Sequence, residues 1–385
     1  MAFASTANAG ITIPAGDWTV DIGGNVNAYY THTSYSGDAG TVGAARQSQN
    51  VISTGLLPSA IGIGAKTRQN DLDVAVQFTF FTGVNANGAD NLNGGTNGGN
   101  GGLGYNSLNI RQAFASFGDA SWGTVKFGRD LGVFGSDAIL SDMTLLGVGS
   151  GAGGANSSTL GRIGSGYLYA DWVGQIQYQT PNWNGFQVTA ALREGLGQQD
   201  NSNLGYDGKA TYDFAANDVT GRVWVGGIFQ KIQTATTAQT ATVNAAGVKE
   251  YDAKAWEIGA KAAYQGAELV GYYYNGQNMD SGIGTFLNTA SSTSLTETDN
   301  SGGYVQATYK LPGVGTKLGA SWGTSLIKTP GAATEAEREA WIVGAYHPLT
   351  KSVNLVAEYN HLNMTASDKK ESEAKTVSLG AILFF

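Results

Sequence analysis

The chain has no cysteine, only 6 prolines in 385 residues, and 14% charged residues. Without cysteine there is no disulfide framework and no thiolate metal site. Soluble domains ordinarily carry about 25% charged residues, so a water-facing surface for a chain of this length is lacking. Long hydrophobic runs are missing too. Nothing approaches the ~18 consecutive apolar residues that mark a membrane-spanning helix. Positive charge is in the minority, with 22 Lys and Arg against 30 Asp and Glu and a net charge of −8. That excludes nucleic acid as a partner, because phosphate binding needs a concentrated basic face. Only 3 histidines are present, scattered as His32, His347 and His361. No His-Glu-x-x-His or Gly-x-Ser-x-Gly pattern occurs, so neither zinc hydrolysis nor a nucleophile elbow is indicated, and no cofactor or metal is expected.

Glycine and aromatics are abundant instead, with 57 Gly, 8 Trp, 18 Tyr and 14 Phe. So many aromatics rule out a disordered chain. A β-barrel set in lipid needs little core, few charges and girdles of aromatic residues, and it fits this composition.

Period-two alternation supports that class. From Trp18 the even positions read Trp18, Val20, Ile22, Gly24, Val26, Ala28, Tyr30, against the polar Asp17, Thr19, Asp21, Asn25 and Asn27. Leu72, Val74, Val76, Phe78 and Phe80 oppose Asp71, Asp73, Gln77 and Thr79. Trp256, Ile258, Ala260, Ala262 and Tyr264 oppose Glu257 and Lys261. Extending the pattern predicts about sixteen strands from 17–30 to 375–385, an even number suited to a closed single-chain barrel. Short connections alternate with long ones, as periplasmic turns alternate with external loops. The short ones carry turn residues, including Asn217-Asp218, Gln265-Gly266, Leu311-Pro312-Gly313 and His347-Pro348. The low-complexity stretch 93–102, NGGTNGGNGG, falls in a long loop. Ala7-Asn8-Ala9 has the small-x-small form of a leader cleavage site, so residues 1–9 are expected to be a signal-peptide remnant or leader before one barrel domain, 10–385.

The segment 123–186 reads GTVKFGRDLGVFGSDAILSD, a glycine-rich interval, then LGRIGSGYLYADWVGQIQYQTPNWNGF. It resembles the general diffusion porins of Gram-negative outer membranes. In that family a strand ends in Gly-Arg, a long third loop folds into the barrel, a second Arg follows, and a Tyr-x-x-Pro-x-x-x-Gly-Phe turn closes the next strand. Here those elements are Gly128-Arg129, the loop near 130–171, Arg162, and Tyr178, Pro181, Gly185 and Phe186. YHPLTKSVNLVAEY at 346–359 is similar to the family's next-to-last hairpin, and the terminal Phe385 to its assembly signal. Ala60 and Gly64 stand where members often carry Arg or Lys, and the family's acidic Pro-Glu-Phe stretch is absent from the loop.

A loop of roughly 42 residues exceeds the length at which connections are ordinarily functional. Phe134, Ile139, Leu140, Met143, Leu145 and Leu146 are expected to pack on an inner wall, leaving Asp137 and Asp142 toward the aperture. Opposite them, Arg111, Lys126, Arg129 and Arg162 are expected to complete the constriction, with Arg193 and Arg222 as further pore-lining residues. Opposed charges across a narrow passage decide which ions pass. Gly149-x-Gly151-x-x-Gly154 matches a dinucleotide fingerprint only formally, lacking the strand and helix that give it meaning.

The expected protein is an all-β, sixteen-stranded antiparallel transmembrane barrel with an infolded third loop. Its expected role is that of an outer-membrane channel for passive diffusion of ions and small hydrophilic solutes. A substrate-selective channel, or a barrel enzyme, is the alternative. The resemblance implies a homotrimer, contact with outer-membrane lipid and lipopolysaccharide, and delivery by the barrel-assembly machinery.

Overall fold

The computed structural model describes residues 10–38, 48–84, 108–150, 158–195, 203–233, 250–279 and 297–385. The possible leader and the NGGTNGGNGG stretch lie outside them. The strands are β1 (Ile11–Ala15), β2 (Trp18–Gly37), β3 (Ser48–Ser53), β4 (Ser59–Gln69), β5 (Leu72–Thr82), β6 (Asn109–Asp119), β7 (Gly123–Leu131), β8 (Trp172–Gln179) and β9 (Phe186–Arg193). They continue as β10 (Gly205–Ala216), β11 (Val219–Gln233), β12 (Glu250–Tyr264), β13 (Ala267–Gln277), β14 (Asp299–Lys310), β15 (Lys317–Lys328), β16 (Ala336–Pro348), β17 (Val353–Thr365) and β18 (Glu371–Phe384). Each strand from β4 to β18 pairs antiparallel with the next, and β18 closes the ring on β2.

The wall is a closed sixteen-strand barrel because two positions are each shared by two segments. β1 and β18 follow one another along one side of β2, Ile11 opposite Ile22 and Phe384 opposite Asn25. β3 and β4 do the same along its other side, leaving a break at 54–58. Asn27 fills that break. Its side chain accepts from Gly55 N at 2.9 Å and donates to Leu57 O at 2.8 Å, replacing the missing ladder bonds.

The alternation read from sequence is the alternation of the wall. Val26, Phe78, Ile258, Val305 and Leu379 are exposed on the outside, whereas Asn27, Thr79, Glu257, Gln306 and Ser378 are buried within. β2 runs on to Gly37, past the expected 17–30, and β16 takes in the acidic Glu337 and Glu339. At the other rim the turns are short. Asn70-Asp71 and Gln265-Gly266 both take positive φ at two successive residues, the twist that a two-residue hairpin requires. No helix among the described residues is long and apolar enough to cross a membrane.

Candidate functional site: the lumen and its infolded loop

Between β7 and β8 the chain leaves the wall at Gly132 and returns at Asp171, crossing the lumen. It carries one short helix, α1 (Ser136–Ser141), and a 3-10 turn, Met143–Leu146. Phe134, Ala138, Ile163 and Tyr167 share a buried cluster with Trp224, Tyr272 and Tyr304 of the wall. An irregular segment cannot pair its own amides, and buried amides must be paired. Here the wall supplies the partners. Gly135 N donates to both Glu257 oxygens at 3.0 and 3.1 Å. Val148 N and Gly149 N donate to Glu358 Oε2 at 2.9 and 2.7 Å. Gln306 accepts from Met143 N at 2.7 Å and donates to Ser141 O at 2.9 Å. Tyr29 and Tyr304 hydroxyls donate to Leu146 O and Ala138 O. The approach is close enough to demand glycine, since a Cβ at Gly147 would lie 2.0 Å from Glu358 Oε1.

The loop therefore fills the lumen beside β12–β17 and leaves it open elsewhere. The opening is a cavity of about 490 Å³ whose wall side runs from β5 to β11. On its loop side stand Ile139, Leu140 and Leu145, with Leu140 41% exposed. Facing them are Arg111 and Gln112 on β6, Lys126 and Asp130 on β7, Lys209 on β10 and Arg222 on β11. Most of these charges are paired. Lys126 binds Asp130, and Lys209 Nζ reaches Asp137 Oδ2 at 2.5 Å. Arg222 bridges Asp137 at 3.0 Å and Asp213 at 2.6 Å. Burial pushes the Asp137 carboxyl up, but the Lys209 and Arg222 cations outweigh it and hold the group below its usual range. Four cations thus meet three carboxylates, Asp130, Asp137 and Asp213, and one positive charge is left over. Arg111 is the cation without an ion pair among the described residues.

The structure gathers Arg111, Lys126, Arg222 and Asp137 at this opening, and places the other expected residues elsewhere. Arg129 sits opposite Ala113 and Gly174, on the outward face with Val125 and Phe127, and approaches Glu194 at 4.0 Å. Lys126 and Asp130, of the opposite parity on β7, take the inner face. Arg162 is fully buried behind the loop, its Nε donating to Ser321 Oγ at 2.5 Å and its Nη1 to Ala340 O at 3.1 Å. Asp142 turns into the loop, accepting from Thr144 N, Tyr167 Oη and Arg162 N. Arg193 is buried against Asp207 at 3.2 Å, and Asp207 also accepts from Val133 N and Phe134 N. Arg129, Arg162, Asp142 and Arg193 therefore do not line the cavity. The expected polarity of the loop is also partly reversed, since Leu140 and Leu145 face the opening while Asp142 does not. Phe385 exchanges backbone hydrogen bonds with Gly24, at 3.1 and 2.9 Å, at the seam of the barrel.

Lys209, Glu257, Gln306 and Glu358 were not singled out beforehand. Glu257 stood on the polar side of its alternation, and Gln306 and Glu358 hold the same place against Val305 and Ala307 and against Leu355, Ala357 and Tyr359. Lys209 could have been found in the same way, with Asp207, Thr211 and Asp213 against Tyr206, Ala210 and Tyr212.

A sequence profile described as Gram-negative porin matches residues 1–367. No curated protein sequence matches the chain. Among solved structures, the outer membrane channel DcaP of Acinetobacter baumannii is 14% identical, with 98% of this chain and 100% of that one covered and a TM-score of 0.65. The anion-selective porin from Comamonas acidovorans is 15% identical, with coverages of 96% and 100% and a TM-score of 0.61. Salmonella typhi OmpF, in complex with daunomycin, is 18% identical, with coverages of 96% and 100% and a TM-score of 0.59. These structures share the fold, a closed barrel of antiparallel strands. With the profile spanning nearly the whole sequence and the barrel built as that family requires, the chain belongs to the Gram-negative porin family and is an outer-membrane channel for passive diffusion.

Proposed function

We propose that ions and small hydrophilic solutes pass through the opening between the infolded loop and β5–β11, and that this opening is the constriction. The single observation behind this reading is the pairing of an apolar loop edge with a charged wall. Arg111, Lys126, Lys209 and Arg222, with Asp130 and Asp137, set the field there, because charged rings and diameter together govern passage. The working unit is a homotrimer seated in outer-membrane lipid and lipopolysaccharide and delivered by the barrel-assembly machinery through Phe385. A neighbour of the same fold, OmpT of Vibrio cholerae, 15% identical with a TM-score of 0.57, is described in a trimer form.

Planar-bilayer recording tests this. Purified protein should give ohmic conductance steps in groups of three. Lys126→Ala with Arg222→Ala should enlarge each step and move the reversal potential in a KCl gradient toward cations. An unchanged step size and reversal potential would remove the constriction from this opening.

A further inference from the structure

We propose that Arg111, Phe81 and Trp172 form a binding site inside the lumen for small aromatic monocarboxylates. The inference rests on the reading of the opening as the conducting path, and extends it from a filter to a site with a ligand class.

Arg111 owes its position to an irregularity in the ladder. Thr79 pairs with Gln112 and Phe80 with Ile110, so Arg111 is the extra residue of a β-bulge. Bulges re-aim side chains. Here Ile110 stays outside, and both Arg111 and Gln112 turn toward the cavity they line. Arg111 is 4% exposed, and its Nε and Nη2 have no hydrogen-bond partner among the described residues. Neither neighbouring carboxylate hydrogen-bonds to it, although Asp171 is close enough to feel its charge. Asp130 is held by Lys126 and by Gln112 at 2.8 Å, and Asp171 accepts from Trp172 N at 2.7 Å. A planar fork with unused N–H groups in a sheltered place matches one carboxylate.

The surroundings specify the rest of the ligand. The guanidinium carbon lies 4.8 Å from the Phe81 ring centroid. Phe81 in turn packs against Trp172, their centroids 5.7 Å apart and their planes tilted by 46°. Leu57 belongs to the same cluster, and Leu56 also lines the cavity. An aromatic body entering here meets half-buried Trp172, with Phe81, 1% exposed, packed behind it. A second carboxylate would fall among apolar groups with no free cation, so the site favours monoanions over dianions.

Benzoate is the probe, with benzamide supplying the ring without the charge and acetate the charge without the ring. Benzoate should interrupt single-channel KCl current in a concentration-dependent way, while benzamide and acetate at equal concentration should not. Arg111→Gln should raise the half-blocking concentration by about tenfold, the scale of a lost bidentate charge-assisted contact. Phe81→Leu, which keeps the apolar volume but removes the ring, should raise it by a smaller factor. Each variant is normalised to its own current, and heat-shifted electrophoretic mobility reports that its barrel is folded. Block that is unchanged in both folded variants, or equal block by benzamide, would overturn the site. Quenching of tryptophan fluorescence by benzoate separates the two readings. Arg111-dependent quenching without block keeps the site and removes the opening from the conducting path. Conductance that responds to Lys126 and Arg222 without any benzoate effect keeps the path and removes the site.

Discussion

The two sides of the lumen balance their charges differently. On the side filled by the loop, Glu257 and Glu358 are buried without a salt bridge among the described residues, and backbone N–H groups and tyrosine hydroxyls surround them. On the open side, Asp130, Asp137 and Asp213 are met by lysine and arginine. Both arrangements satisfy a carboxylate, but they do different work. Amides belong to the loop, so a carboxylate that takes them fixes the loop in one place. Cations belong to wall side chains in contact with water, so a carboxylate that takes them sets a field and leaves a passage. One type of residue thus acts as a fastening or as a filter according to its donor.

Removing a fastening should have the largest effect. Glu358→Ala orphans the Val148 and Gly149 amides, each worth about 1–3 kcal/mol when buried and unpaired. The expected result is a loosened loop, read as larger and noisier current steps and a lower thermal midpoint. Glu358→Gln, which still offers a carbonyl oxygen, should fall between the two. Equal behaviour of the alanine variant and wild type would show that the amides find other partners.

Next in size is the filter. Asp137→Asn discharges a carboxylate beside the opening and should move the reversal potential toward anions. Asp142→Asn should leave it nearly unmoved, because that side chain is turned into the loop. A shift of equal size from both would place Asp142 on the aperture after all.

Smaller still is the dependence on salt. The net charge of −8 favours cations at the mouth, whereas the opening carries one surplus positive charge. At about 0.15 M salt the Debye length is near 8 Å, so distant carboxylates are screened first. Cation preference at low salt should fade and turn slightly anionic as salt rises. A cation preference that persists unchanged in high salt would mean that the filter is not the surplus described here.

The smallest effect concerns acid. The Asp137 carboxyl is held below its ordinary value of 3.8 by Lys209 and Arg222. A depressed group adds stability above its unfolded value and loses it as pH falls through its folded one. Contact of the loop with β10 and β11 should therefore persist at pH 5 and weaken only below about pH 4. Current noise recorded across that range would report it, and an onset near neutrality would point to another group.

The barrel was legible because lipid on one side and water on the other impose a two-residue period on every strand. Where that contrast fades, the reading shortened. β2 runs on to Gly37 through Thr31, His32, Thr33 and Ser34, a stretch with no apolar side to count. β1 and β3 were missed, being short segments that complete a neighbour's wall position. The loop was legible in length and place but not in orientation. Which of Asp137 and Asp142 reaches the opening depends on how Tyr167 and Arg162 fold back, and contacts between residues some twenty positions apart leave no periodic trace. Arg129 is a different case, since the Gly-Arg resemblance placed it inside, whereas on β7 it alternates with Lys126 and Asp130, which line the cavity.

The break at 54–58 bears on the order in which the channel is made. Leu56 N donates to Gly147 O, and Thr159 N donates to Gly55 O, so the loop is held on one flank by an early part of the chain. Its other flank is held by Glu358, near the end. Those two flanks become neighbours only when β18 reaches β2. Until that last pairing forms, the holds on β10, β12 and β14 lack the flank that the break at 54–58 supplies opposite Glu358. The aperture is thus a product of closure and comes into being with the final strand.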